Sequence, residues 1–148
     1  MNTVDEILDY AIGQEQQAAD FYADMAKQAE KGGMKDIFME FSREEERHRD
    51  KLLNVKQGEH ELSAHQEVVD LKISDYLVEV EANKDISYQD ALIIAMKRER
   101  AAFRLYSDMA DKVAEEDLRQ LFLGLAKEEA KHKLFFESEY DERVLRDN

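Results

Sequence analysis

The sequence predicts an all-α four-helix bundle, and its composition, periodicity and internal repeat all favour this fold. The chain has 148 residues, no Pro and five Gly, a composition that favours long helices over turn-rich β structure. Apolar residues recur at three- and four-residue spacing along four long stretches. The last two stretches repeat the first two at an offset of 84 residues, for example Glu129 minus Glu45. We therefore expect one domain over residues 1–148 with a pseudo-twofold repeat.

The first helix is expected to begin at Thr3, because Thr3 and Glu6 have the spacing of a capping box. Glu15 falls on its buried stripe, where an apolar residue would be expected. The pair Gly32-Gly33 is expected to end the helix, since glycine commonly follows a helix C-terminus. The apolar members of the stripe are Leu8, Ala11, Ile12, Ala18, Ala19, Tyr22, Met25 and Ala26.

The second helix is expected over about residues 34–58, antiparallel to the first across the short Gly-Gly link. Its stripe again carries polar residues among apolar ones: Ile37, Phe38, Phe41, Glu45, His48 and Leu52.

Residues 59–86 show no sustained helical period, and only 75–81 could form a short helix. We expect this segment to be a crossover between the second and third helices, because its length is sufficient to run along the bundle. For its histidines, His60 and His65, we expect no metal role.

The second half of the chain, residues 87–142, repeats residues 3–58. Ser87 is expected to cap the third helix as Thr3 caps the first. The acidic run at 115–117 suits the N-terminus of the fourth helix. The key pairs across the repeat are Glu15 and Glu99, Tyr22 and Tyr106, Glu45 and Glu129, and His48 and His132.

Six polar residues thus lie on stripes that are otherwise apolar: Glu15, Glu45, His48, Glu99, Glu129 and His132. Residues three apart share a helix face, so each Glu-x-x-His segment directs a carboxylate and an imidazole to one place. Four buried carboxylates would repel one another unless positive charge lay among them. Two divalent cations would balance that charge. Mixed oxygen and imidazole ligands suit two iron ions, with manganese or zinc as alternatives.

At these residues the chain resembles the rubrerythrin branch of the ferritin-like superfamily, whose di-iron bundles use this ligand pattern. The resemblance implies that Glu45 and Glu129 bridge the metals and that the other four ligands complete the two ends. Which Glu bridges is left open by the sequence. Tyr22 and Tyr106, two turns beyond the upstream Glu of each half, either pack in the core or have a catalytic role beside the metals.

Two features differ from the family pattern. The chain contains no Cys and so no Cys-rich rubredoxin domain, and we expect any electron donor to be a separate protein. Ala102 stands where rubrerythrins often carry a further Glu, three residues after the ligand of the third helix.

The resemblance implies a di-iron oxidoreductase that reduces hydrogen peroxide or dioxygen. A ferroxidase or iron-handling protein, and a bundle that holds metal only for stability, are the alternatives. The net charge of -14 disfavours nucleic acid and anionic membranes as partners. No segment approaches the roughly 20 apolar residues that span a bilayer. We therefore expect a cytoplasmic protein. A homodimer is a separate expectation.

Overall fold

A computed structural model describes residues 2–29, 32–58, 66–78 and 86–145. In these residues four long helices form, α1 (Val4–Gln28), α2 (Gly32–Gln57), α3 (Tyr88–Lys112) and α4 (Glu116–Tyr140). The chain divides into two compact units, Met1–Ile73 and Ser74–Asn148, and each contains one helical hairpin. The predicted helices are confirmed, and each predicted repeat half lies within one unit. That the two units make up one domain stays a prediction.

Helix α1 begins where the capping box predicts. The Thr3 hydroxyl accepts a hydrogen bond from the backbone N–H of Glu6 at 3.2 Å. The Glu6 carboxylate accepts hydrogen bonds from the backbone N–H of Thr3 at 3.0 Å and from the Thr3 hydroxyl at 3.1 Å. These two bonds to the carboxylate lower the pKa of Glu6. Ser87 caps α3 similarly, because its hydroxyl accepts from the backbone N–H of Asp90 at 3.1 Å. Both caps satisfy amide groups that a helix leaves without internal partners.

The predicted end of α1 is wrong. The helix ends at Gln28, where Ala29 turns to an extended conformation with φ -72° and ψ 124°. Gly32 and Gly33 are instead the first residues of α2, and no described glycine has a positive φ. The turn between the helices therefore does not use the left-handed glycine on which the prediction rested.

Two short strands tie the crossover to the start of α1. Strand β1 (Asn2–Thr3) pairs antiparallel with β2 (Glu67–Val68), and the Val4 N–H donates to the carbonyl oxygen of Gln66 at 2.9 Å. Strands of two residues are too short to show the alternation by which a strand is recognised in sequence. The sequence prediction therefore did not include them.

The rest of the crossover is described only in part. A 3-10 turn over Ile73–Tyr76 stands where the short helix of residues 75–81 was expected to begin. His60 and His65 lie outside the described residues. None of the described helices is long and apolar enough to cross a membrane.

Different polar contacts join the two helices of each hairpin at the start of its first helix. In the first unit the Lys56 ammonium donates to the carboxylates of Asp5, at 3.4 Å, and Asp9. In the second unit the Tyr88 hydroxyl donates to Glu139 at 2.9 Å. These contacts link the start of the first helix to the end of the second, so each hairpin is antiparallel.

A second tyrosine anchors the 3-10 turn to α3. The Tyr76 hydroxyl donates to Asp108 at 2.5 Å, and the Arg104 guanidinium lies 5.6 Å from the centre of the Tyr76 ring. Tyr76 is 7% exposed, so the contact removes most of the ring from water.

We expect the free energy of unfolding to fall at alkaline pH through these two anchors. Burial and the bonds to Asp108 and Glu139 raise the pKa of Tyr76 and of Tyr88. A tyrosine in the unfolded chain titrates at about pH 10. Above that pH the unfolded state releases protons that the folded state keeps, so stability decreases as pH rises. Urea titrations at about pH 8 and pH 10.5 should show a larger loss for wild type than for Y76F/Y88F, and equal losses would contradict this.

Candidate metal centre

In the first unit, α1 and α2 bring Glu15, Glu45 and His48 together. All three side chains are at most 2% exposed. His48 Nδ1 lies 3.5 Å from a carboxylate oxygen of Glu15 and 3.4 Å from one of Glu45. One ligand atom from each residue lies within 4.8 Å of those of the other two. The Glu-x-x-His face of α2 and the polar residue on the stripe of α1 thus form one buried cluster.

The second unit contains the matching cluster, formed by Glu99 of α3 with Glu129 and His132 of α4. These side chains are at most 3% exposed. His132 Nδ1 lies 3.6 Å from a carboxylate oxygen of Glu99, and one ligand atom from each of the three lies within 4.8 Å of the others. All six predicted ligands are therefore buried, three in each unit.

The donor atoms of each cluster fit a bound metal ion. The Nδ1–oxygen distances of 3.4–3.6 Å exceed the usual hydrogen-bond range of about 2.7–3.2 Å. Two donors that share one Zn²⁺-sized ion at about 2.1 Å lie roughly 3.0–3.6 Å apart at angles of 90–120°. Each cluster offers two carboxylates and one imidazole, a donor set compatible with iron.

Ser42 fixes the distance between α1 and α2 beside the first cluster. Its hydroxyl donates to the carbonyl oxygen of Ala19 at 2.7 Å, and the residue is 3% exposed. Ser42 lies three residues before Glu45, so this bond holds the ligand helix one turn away from the ligand. Ser42 was not predicted from the sequence, although its place on the apolar stripe was a signal. The matching residue of the second unit is Ala126, which has no hydroxyl.

The two tyrosines predicted to be catalytic lie in the helical core. Tyr22 is 0% exposed and stacks on Phe38 with ring centres 6.5 Å apart. Tyr106 is 1% exposed and stacks on Phe122 at 6.1 Å. Such aromatic contacts account for their burial by packing. A catalytic role for the two tyrosines stays a prediction.

Comparison with known proteins assigns the chain to a family. The rubrerythrin family profile matches residues 6–140. The chain belongs to the rubrerythrin family. No curated protein matches this rubrerythrin chain.

The fold of this rubrerythrin resembles a crystal structure from Thermotoga maritima, described as a candidate ferritin-like diiron-carboxylate protein. The TM-score is 0.77, with 21% identity over 97% of each chain. This likeness confirms the predicted all-α, ferritin-like four-helix bundle. In a rubrerythrin of this fold, the two buried Glu/His clusters are candidate metal sites.

The structure also places the residue at which the chain departs from the family pattern. Ala102 is partly buried on α3, three residues after Glu99. This rubrerythrin therefore has no carboxylate at that position to act as a further ligand.

Proposed function

We propose that this rubrerythrin holds two iron ions in one dinuclear centre and reduces hydrogen peroxide or dioxygen with electrons from a separate donor protein. The observation that carries the proposal is the duplication of a buried cluster of two carboxylates and one imidazole. Each cluster has the charge to balance one divalent cation, and two such clusters together match the ligand set of di-iron carboxylate bundles.

In this proposal Glu45 and Glu129 would be shared by the two ions. Glu15 with His48 would hold one ion, and Glu99 with His132 would hold the other. When bound and reduced, the two ions supply one electron each to the oxidant. The protein contributes the position of the donors. The Nδ1 atoms of His48 and His132 face carboxylates in their own units, so each imidazole is oriented toward the metal before it binds.

The surroundings of the ligands also support a reactive centre. Every ligand is nearly inaccessible to solvent, and exclusion of water strengthens electrostatic interactions inside a site. Reduction of one hydrogen peroxide molecule takes two electrons and two protons and gives two water molecules. The site therefore needs two electrons for each peroxide consumed.

The test is anaerobic loading with Fe²⁺ followed by stopped-flow mixing with hydrogen peroxide or dioxygen. We expect rapid oxidation of two Fe²⁺ per peroxide in wild type. The matched variants are E45Q, which removes a buried ligand charge, and E46Q, which removes an exposed charge from the adjacent residue. E45Q should lose the fast phase and E46Q should keep it.

Other outcomes would favour the alternatives. Faster oxidation by dioxygen than by peroxide, with release of ferric iron from the protein, would favour a ferroxidase. Slow oxidation without fixed stoichiometry, together with a large loss of thermal stability on iron removal, would favour a metal held for stability.

A further inference from the structure

Helix α3 carries three cations on the side turned away from its metal ligand. Lys97, Arg100 and Arg104 are exposed and spaced three and four residues apart, so they share one face of the helix. At about 100° per residue, Lys97 and Arg104 lie roughly 160° and 140° from Glu99 around the helix axis, and Arg100 lies roughly 100° from it. The three residues, called the basic stripe below, extend over roughly 10 Å along the helix.

The basic stripe has no counterpart in the other repeat. The residues 84 positions earlier are Gly13, Gln16 and Asp20, so the same face of α1 carries no cation at these positions. The metal ligands and the buried stripes are common to both repeats. Because one repeat forms its hairpin and its cluster without these cations, neither the fold nor the metal site explains the basic stripe.

The cations of the basic stripe are available for an outside partner. Within the part of the chain that the structure describes, neither Lys97 nor Arg100 forms an ion pair. Arg104 lies over the ring of Tyr76, whose hydroxyl is bonded to Asp108. This contact keeps one guanidinium in a fixed place at the end of the stripe. Three clustered cations are a distinct local field on a chain with a net charge of -14.

We propose that the basic stripe is the docking surface for an acidic electron-carrier protein. This inference rests on the proposed function, because each peroxide consumed requires two electrons from outside the chain. Two successive reduced carriers each lose one electron and leave oxidised. Their two electrons, with one hydrogen peroxide and two protons, end in two water molecules.

Charge and position together select this partner. An acidic surface complements three cations, and such complementarity mainly raises the association rate, by about 10- to 1,000-fold. The basic stripe is separated from Glu99 by the thickness of a single helix, about 10 Å. A carrier docked here would bring its redox group close to the ligands. Electron-transfer complexes are weak and bury less than about 1,200 Å², an area that a few helical turns can supply.

The test uses reduced flavodoxin, an acidic one-electron carrier, as the probe. The variant is K97E/R100E, which leaves Arg104 in contact with Tyr76. The matched control is K127E/K131E on α4, because both lysines are exposed and flank Glu129 by two residues on either side. Both double variants change the net charge equally.

Binding is measured first, on protein loaded with Zn²⁺, which takes no part in electron transfer. The electron-transfer rate to iron-loaded, peroxide-oxidised protein is measured second. We expect K97E/R100E to lower both the affinity and the second-order rate by at least about tenfold at low salt. K127E/K131E should change them less than about twofold. The difference should vanish near 0.5 M salt, where charges are screened within about 4 Å.

Dithionite, a small chemical reductant, should reduce all three proteins at the same rate. The docking surface would be overturned if K97E/R100E bound flavodoxin with wild-type affinity, or if K127E/K131E lost as much affinity as K97E/R100E. It would also be overturned if the wild-type protein did not bind flavodoxin. Binding to the Zn²⁺-loaded protein separates the two proposals. If iron-loaded wild type fails to react with peroxide, the proposed function fails, whereas the binding data still decide the docking surface.

Discussion

Replacement of Glu129 and His132 by alanine is expected to abolish the proposed dinuclear iron centre. The double variant removes one buried carboxylate and the imidazole that faces Glu99 at 3.6 Å. Iron content should fall from two ions per chain to at most one. Peroxide-driven oxidation should slow by more than about 100-fold. Mutation of a residue that only hydrogen-bonds to a metal ligand already lowers metal affinity or activity by about 10- to 100-fold. Iron analysis and stopped-flow spectroscopy check both expectations.

The repeat supplies a matched variant for this experiment. E45A/H48A removes the equivalent pair from α2 and should give the same loss if the two clusters serve one centre. The exposed pair next to them, E46A/R47A, should leave iron content and rate unchanged. Without metal, E129A/H132A should be no less stable than wild type, because it removes a buried carboxylate from a repulsive set. Retention of two iron ions by E129A/H132A would contradict the assignment of these ligands.

Replacement of Phe122 by alanine is expected to have the largest effect on stability. Phe122 is 0% exposed and stacks on Tyr106, so truncation leaves a cavity and should lower the free energy of unfolding by about 3–5 kcal/mol. Phe38→Ala in the other repeat should cost a similar amount, since Phe38 is 2% exposed and stacks on Tyr22. Urea denaturation of the metal-free proteins measures both.

The adjacent residue provides the control for this prediction. Leu123 is 41% exposed, and Leu123→Ala should change stability by no more than about 0.5 kcal/mol. A cost below about 1 kcal/mol for Phe122→Ala would show that the aromatic stack does not form part of a close-packed core.

The ligand clusters could be predicted because their information is local. Glu45 and His48 are three residues apart on one helix, and a helix places such residues on one face whatever the rest of the fold does. Duplication at a fixed offset then distinguished Glu129 and His132 from the many other acidic residues of the chain. The placement of Glu15 and Glu99 on apolar stripes required only the helical period.

Features that depend on contacts between distant residues could not be predicted in this way. The bond from Ser42 to Ala19 depends on the distance between two helices, which side-chain pattern alone does not fix. The pairing of Glu67–Val68 with Asn2–Thr3 joins residues far apart in sequence. The end of α1 at Gln28 was missed because Ala29 ends the helix without the glycine signal.

The basic stripe could be recognised only after its residues were placed on a helix. Lys97, Arg100 and Arg104 stand among other charged residues of α3, including Arg98, which is only partly exposed. When positions on α3 are measured as rotations around the helix axis from Glu99, the three cations share one face that is turned away from Glu99. The comparison with Gly13 and Asp20 then showed that the feature belongs to one repeat only.

The central claim is that the two Glu/His clusters form one dinuclear iron centre, and Mössbauer spectroscopy tests it most directly. The protein is loaded anaerobically with two equivalents of ⁵⁷Fe²⁺ and oxidised with one equivalent of hydrogen peroxide. Two Fe³⁺ ions held by bridging carboxylates should couple and give a diamagnetic quadrupole doublet at low temperature. Magnetically split spectra of two isolated high-spin Fe³⁺ ions would contradict the claim.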